Sequence, residues 1–153
     1  MFLSMHADTL SDPSVRGVSV YTLAKSASDT ETEALAEREN GRPSGDNGHD
    51  TRVSEILASL AARATRIAAS RMSHQLVSDL VHDLPVLPRP ERHANFTVLH
   101  AAGIPSVLIE MGFLSNPADE AALNDPGHRR MIARAMTRAI DAWFTGPHGA
   151  GQG

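Results

Sequence analysis

The sequence predicts an α/β fold, a mostly parallel sheet flanked by helices, on three observations. Short β-branched or apolar runs alternate with longer stretches of helical periodicity, the pattern of layered α/β domains. The run Ser106-Val107-Leu108-Ile109-Glu110 is apolar without alternation, as expected of a strand covered on both faces. Clusters of Gly, Pro and Asn punctuate the chain between these segments.

Taken in order, Phe2 to Met5 reads as a strand that leads into a polar loop, His6-Ala7-Asp8. Pro13 and Gly17 break the chain before Val18–Leu23, whose alternating, β-branched pattern predicts a second strand. Ser28-Asp29 followed by Glu31 and Glu33 starts a helix with acids at its positive end. That helix is expected from Thr30 to Glu39. Residues 40–50 (NGRPSGDNGHD) read as an exposed loop. A long helical stretch follows, from Thr51 to Leu84. Val53, Ile56, Leu57, Leu60, Ala64 and Ile67 share one of its faces. Met72, Leu76, Leu80 and Leu84 drift onto another, so either the helix breaks near Ser70 or its second half is buried on a different side. Pro85, Pro88 and Pro90 end the helix and predict a stiff linker. Phe96–Leu99 is the expected third strand, and Ser106–Glu110 the fourth, after a Gly103-Ile104-Pro105 turn. Asn116-Pro117 opens a short helix through Leu123. A last helix is expected from Gly127 to Phe144, with Met131, Ile132, Ala135, Met136, Ala139, Ile140 and Trp143 inward. Residues 1–145 thus form one domain, and the Gly-rich residues 146–153 read as a disordered tail.

Composition narrows the function classes. A length of 153 residues suits a single domain. The net charge of −4 points away from a nucleic-acid partner or an anionic membrane surface. No apolar run is long enough to span a membrane, and Met1–His6 lacks the basic region and long apolar core of a signal peptide. The absence of cysteine excludes disulfides, thiolate metal sites and a Cys nucleophile, so a metal site must use His and carboxylates. There is no Gly-x-Ser-x-Gly elbow and no Gly-rich phosphate loop, which argues against a serine hydrolase or a nucleotide enzyme.

In parallel sheets, functional groups gather at the carboxyl ends of strands. His6 and Glu110 both fall there. Glu110 ends a very apolar strand, where partial desolvation suits a carboxylate to general base work; a Glu that rises out of the core to pair with an Arg is the competing structural reading. His6 is a candidate zinc ligand, although a lone His at a strand end is more often hydrogen-bonded and structural. Asp8 reads first as a loop cap. His49, His74, His82, His93, His100, His128 and His148 fall in loops or on helices without the spacing of a helical zinc motif. Arg92-His93-Ala94-Asn95-Phe96 reads as a polar loop. Glu31, Glu33, Glu37, Arg38 and Glu39 read as a solvated helix face.

Together these segments resemble the zinc-dependent N-acetylmuramoyl-L-alanine amidases of bacterial peptidoglycan, in family order. Ser4-Met5-His6-Ala7-Asp8 is similar to the family's Ser-Ile-His-Ala-Asp/Asn, whose His binds zinc. Val18–Leu23, Ala27-Ser28-Asp29, Leu35-Ala36 and Glu39-Asn40 resemble the strand and helix that follow. Phe96-Thr97-Val98-Leu99 resembles Phe-x-Val-Leu. Pro105 to Asn116 (PSVLIEMGFLSN) is similar to the most specific motif, whose Glu is catalytic. The resemblance implies cleavage of the amide between N-acetylmuramic acid and the L-alanine of the stem peptide, with Glu110 as base and His6 on zinc. It also implies a peptidoglycan substrate and a periplasmic or cell-envelope setting.

The family's other zinc ligands, a His in Gly-His-Gly-Gly and a later Glu, lie upstream of the segment at which this chain starts. The sheet is therefore expected to lack the family's first strands, leaving an open edge. One protein ligand is too few for a catalytic zinc, so weak zinc binding and impaired activity are expected. A non-catalytic peptidoglycan-binding module on the same fold is the second reading. Residues 40–69 resemble, in shortened form, the regulatory insertion that blocks the zinc site of cell-division amidases until an activator protein displaces it; a plain surface helix is the alternative.

Overall fold

The computed structural model describes residues 1–41, 52–101 and 103–146, with the backbone alone for 52–59. The elements are β1 (Phe2–His6), β2 (Val18–Leu23), α1 (Thr30–Asn40), α2 (Arg52–Leu80), β3 (Val86–Ala94), a 3-10 turn (Thr97–Leu99), β4 (Ser106–Glu110), α3 (Pro117–Asn124) and α4 (Pro126–Thr145). The strands form one sheet in the order β1-β4-β2-β3. β1 pairs with β4 and β2 with β3 in parallel, whereas β2 and β4 run antiparallel. The mixed α/β sheet is thus parallel in two of its three pairings. β4, the most apolar strand, lies inside the sheet, as its unbroken hydrophobic run requires.

Alternation along the strands sends side chains into two cores. Val18, Val20, Val107 and Ile109 pack with Met72, Leu76 and Leu80 of α2 and with Ala135, Met136 and Ala139 of α4. On the other face Tyr21 and Leu108 meet Leu35 and Ala36 of α1 and Phe96 and Leu99. Leu108 and Glu110 are two residues apart, so Glu110 also faces the α1 side. Asp29 caps α1 by accepting from the Thr32 amide at 2.9 Å. Asn116 caps α3, accepting from the amides of Ala118 and Asp119.

Two expectations are corrected. The third strand is not Phe96–Leu99 but Val86–Ala94, the segment read as a proline linker. β3 is an edge strand, where a missing backbone donor is tolerated. Its pairing with β2 jumps from Val18↔Val86 to Val20↔Glu91, and Pro88 and Pro90 fall in that irregular stretch. The apolar pattern at 96–99 reflects real burial, but in a turn: the amide of Leu99 donates to Phe96 O at 3.1 Å. Phe96 is fully buried with its ring edge-on to Tyr21, centroids 5.4 Å apart.

α2 does not break near Ser70. Its second half is the buried one, through Ala69, Met72, Leu76 and Leu80, while Leu60 and Ile67 are exposed. The helix ends at Leu80, and Leu84 is buried in the turn after it. Within the segment 40–69 read as a regulatory insertion, residues 42–51 lie outside the described residues, as do 147–153 of the expected tail. No described helix is long and apolar enough to cross a membrane.

Candidate active site

His6 and Glu110 are register partners in the parallel β1–β4 ladder, so they stand side by side at the two strand ends. The pairing continues past the strands, with the Met111 amide donating to His6 O at 3.0 Å and the Leu114 amide to Asp8 O at 2.7 Å. Glu110 is completely buried, and its Oε2 accepts the backbone N–H of Asp8 at 3.1 Å. A carboxylate held in this way has a fixed direction and little competing water, the conditions under which a charged group acts most strongly.

Glu39, in the last turn of α1, approaches from the other side. Its Oε2 lies 3.1 Å from His6 Nδ1, with the Glu39 side chain only 8% exposed. The remaining ring nitrogen, Nε2, is 2.8 Å from Ser4 Oγ. Glu39 is therefore not part of a solvated helix face. The signal was present in the sequence: Glu39 follows Leu35 by four residues and Ala36 by three, and both of these are buried. Asp8 Oδ1 accepts the Thr9 amide at 2.7 Å.

β2 supplies the third wall. Ser19 lies opposite Glu110 in the antiparallel pairing, and both are fully buried. The Ser19 hydroxyl donates to Tyr21 Oη at 3.0 Å. Burial pushes the Tyr21 phenol up to about 12; the Ser19 hydrogen bond opposes this, and the neighbouring Glu110 charge adds to it. An acid whose folded pKa is raised gives stability that is complete below its unfolded pKa of about 10 and is lost as pH climbs toward the folded value. Denaturation at pH 9 and again near 12 is therefore expected to show a loss of about 2 kcal/mol from this group. Tyr21→Phe should flatten that pH slope; an unchanged slope would assign it elsewhere.

The loop after Glu110 is laced to residues 8–17. Ser115 Oγ accepts the Leu10 amide at 3.0 Å, and Asn116 Nδ2 donates to Pro13 O at 2.8 Å. Buried Asp119 accepts two amides through Oδ2, from Gly17 at 2.7 Å and Phe113 at 3.0 Å, with Arg16 Nε 3.7 Å from its other oxygen. Gly112 has φ +144°, and a Cβ there would meet the Asp119 side chain at 3.1 Å. The sequence foresees none of these clasps beyond the Asn116-Pro117 helix start: the contacts of Leu10, Pro13 and Gly17 join partners 105, 103 and 102 residues apart, and the short-range Phe113–Asp119 contact depends on the bend at Gly112.

His74, His82, His93 and His100 are all exposed. His93 and Arg92 belong to β3 rather than to a loop. Arg92 contacts both oxygens of Asp29, at 3.0 and 3.2 Å, and so ties β3 to the start of α1.

The donor set does not fit a catalytic zinc. Such a site uses three protein ligands, and among the described residues no group of three His, Cys, Asp or Glu is placed to hold a metal ion. His6 has the carboxylate partner that commonly orients a metal-binding imidazole, but no described pair of donors completes a three-ligand set around it. After equilibration with micromolar zinc and gel filtration, elemental analysis should find well below one equivalent; a full equivalent would contradict this reading.

The family model for N-acetylmuramoyl-L-alanine amidase, Amidase_3, matches residues 1–142. The chain is 32% identical to N-acetylmuramoyl-L-alanine amidase AmiC of Neisseria meningitidis, over 94% of this chain and 36% of that protein. It is 30% identical to AmiA of Salmonella typhimurium, over 94% of this chain and 52% of that protein. The chain thus spans from about a third to about half the length of these curated relatives. Among solved structures, the amidase Ami1 of Mycobacterium smegmatis shares the fold with a TM-score of 0.60 at 20% identity, over 92% of this chain and 52% of that one. A family match across residues 1–142, nearly the whole chain, places this protein in the N-acetylmuramoyl-L-alanine amidase family.

Proposed function

We propose that this chain serves peptidoglycan amide hydrolysis in the cell envelope, with Glu110 as the proton-transferring carboxylate. The bond cut joins the lactyl group of N-acetylmuramic acid to the L-alanine of the stem peptide. The observation that carries the reading is the pairing of a fully buried Glu110 with His6 at the adjoining ends of β4 and β1. In this role Glu110 takes a proton from the attacking water and delivers it to the leaving amine of L-alanine. Asp8 N–H fixes the carboxylate, and Glu39 orients the imidazole of His6. His6 is the residue suited to donate to zinc, and two further donors would have to complete that site.

Purified sacculi incubated with the chain test the reading. Mass spectrometry should find stem peptides beginning at L-alanine together with peptide-free glycan. A second reading, a module that binds peptidoglycan without cutting it, is favoured by the lack of a three-donor metal group among the described residues. Co-sedimentation with sacculi and no such products would establish that reading and remove the first.

A further inference from the structure

The last turn of α1 brings two residues to this site. Glu39 meets His6; the residue before it, Arg38, reaches the loop that holds Glu110. Arg38 Nη1 donates to the Thr9 carbonyl, lies 3.3 Å from Thr9 Oγ1, and stands 3.8 Å from Asp8 Oδ1. The neighbouring Asp8 amide is the one bound to Glu110. All the contacts of Arg38 with described residues are made through Nη1. Its Nε and Nη2 have no partner among the described residues, and the side chain is 39% exposed.

We propose that Arg38 is a specificity residue that receives a carboxylate of the stem peptide beside the scissile amide. This deepens, and rests on, the peptidoglycan reading above. A guanidinium offers planar, paired N–H donors that match a carboxylate in a two-point contact. Here one nitrogen is anchored to the protein, so the remaining donors are restrained before the ligand arrives, which lowers the entropic cost of binding. Charge makes the same demand. Asp8, Glu39 and Glu110 crowd the site with carboxyl groups, and a stem peptide that carries its own carboxylates needs a cation at the rim to approach them.

The test is binding, read without turnover. Titration calorimetry would compare two probes, a muramoyl dipeptide with a free carboxylate on its second residue and the same compound with that carboxylate amidated. Wild type should bind the carboxylate form about tenfold more tightly or better. Arg38→Gln should bind both alike, near the affinity of the amide, and Arg38→Lys should recover part of the preference. Equal binding of the two probes by wild type, or a full preference kept by Arg38→Gln, overturns the role of Arg38 and leaves Glu110 untouched. Failure of wild type to bind either probe overturns this proposal and counts against the peptidoglycan reading itself. Circular dichroism of each variant separates these outcomes from misfolding.

Discussion

Glu110→Gln should lower the release of stem peptides from sacculi by about 10²- to 10⁴-fold, the usual contribution of a positioned acid–base group, while leaving the fold intact. Glutamine has nearly the volume of glutamate, so the packing around this fully buried position survives. Its amide oxygen can still accept the Asp8 N–H that Oε2 accepts now. What glutamine cannot do is take a proton from water and hand it on. The substitution therefore separates chemistry from architecture, and the two readouts must diverge: muropeptide products fall to background while the denaturation midpoint stays near that of wild type. Product formation at the wild-type rate would show that Glu110 is a structural carboxylate, the role that a Glu at the end of an apolar strand also suits. A parallel fall in stability and products would leave the activity loss explained by folding alone and would equally remove support for Glu110 as the base.

How far the sequence reveals this site depends on the range of the interactions involved. β1, β2 and β4 were legible because strand signals are local: a β-branched or apolar run, bounded by Gly and Pro, needs no knowledge of its neighbours. The placement of His6 and Glu110 at strand ends followed from that. β3 was missed because Pro88 and Pro90 argue against a strand everywhere except at an edge, and which strand is the edge is a property of the assembled sheet. Phe96–Leu99 shows the converse: Phe96 and Leu99 are buried as their apolar character suggests, but that character does not say whether a strand or a turn delivers them. Glu39 lies between these cases. Its helical spacing from Leu35 and Ala36 marks the inward face, yet its charge, set among Glu33, Glu37 and Arg38, reads as solvent-facing. Ser19 and Tyr21 were read only as strand residues, and their nearness to Glu110 arises from the antiparallel β2–β4 register, which alternation alone does not predict.

Asp119→Ala should destabilise the protein by about 2–5 kcal/mol, a large part of the 5–15 kcal/mol typical of a domain. Asp119 is 5% exposed, and its Oδ2 is the acceptor for two backbone amides, Gly17 and Phe113. Removing the carboxylate leaves both N–H groups without that acceptor, at a cost of about 1–3 kcal/mol each where water does not replace it. The expected loss is far above that of a surface substitution, which is usually within about 0.5 kcal/mol. Asp119→Asn should be milder, since an amide oxygen can serve the same two donors, while the contact with Arg16 is weakened. The local consequence matters as much as the global one. Phe113 N–H belongs to the loop that leaves Glu110, and Gly17 N–H to the segment that enters β2, so the Asp119 carboxylate ties the exit of one strand to the entry of its neighbour. Gly112, at φ +144° with its α-carbon against Asp119, lets the chain pass close enough for that tie. Amide hydrogen exchange at Phe113 and Gly17 should therefore accelerate in Asp119→Ala by more than the global stability change requires. A denaturation midpoint within error of wild type would mean that water satisfies both amides and that the clasp contributes nothing to holding Glu110 in place.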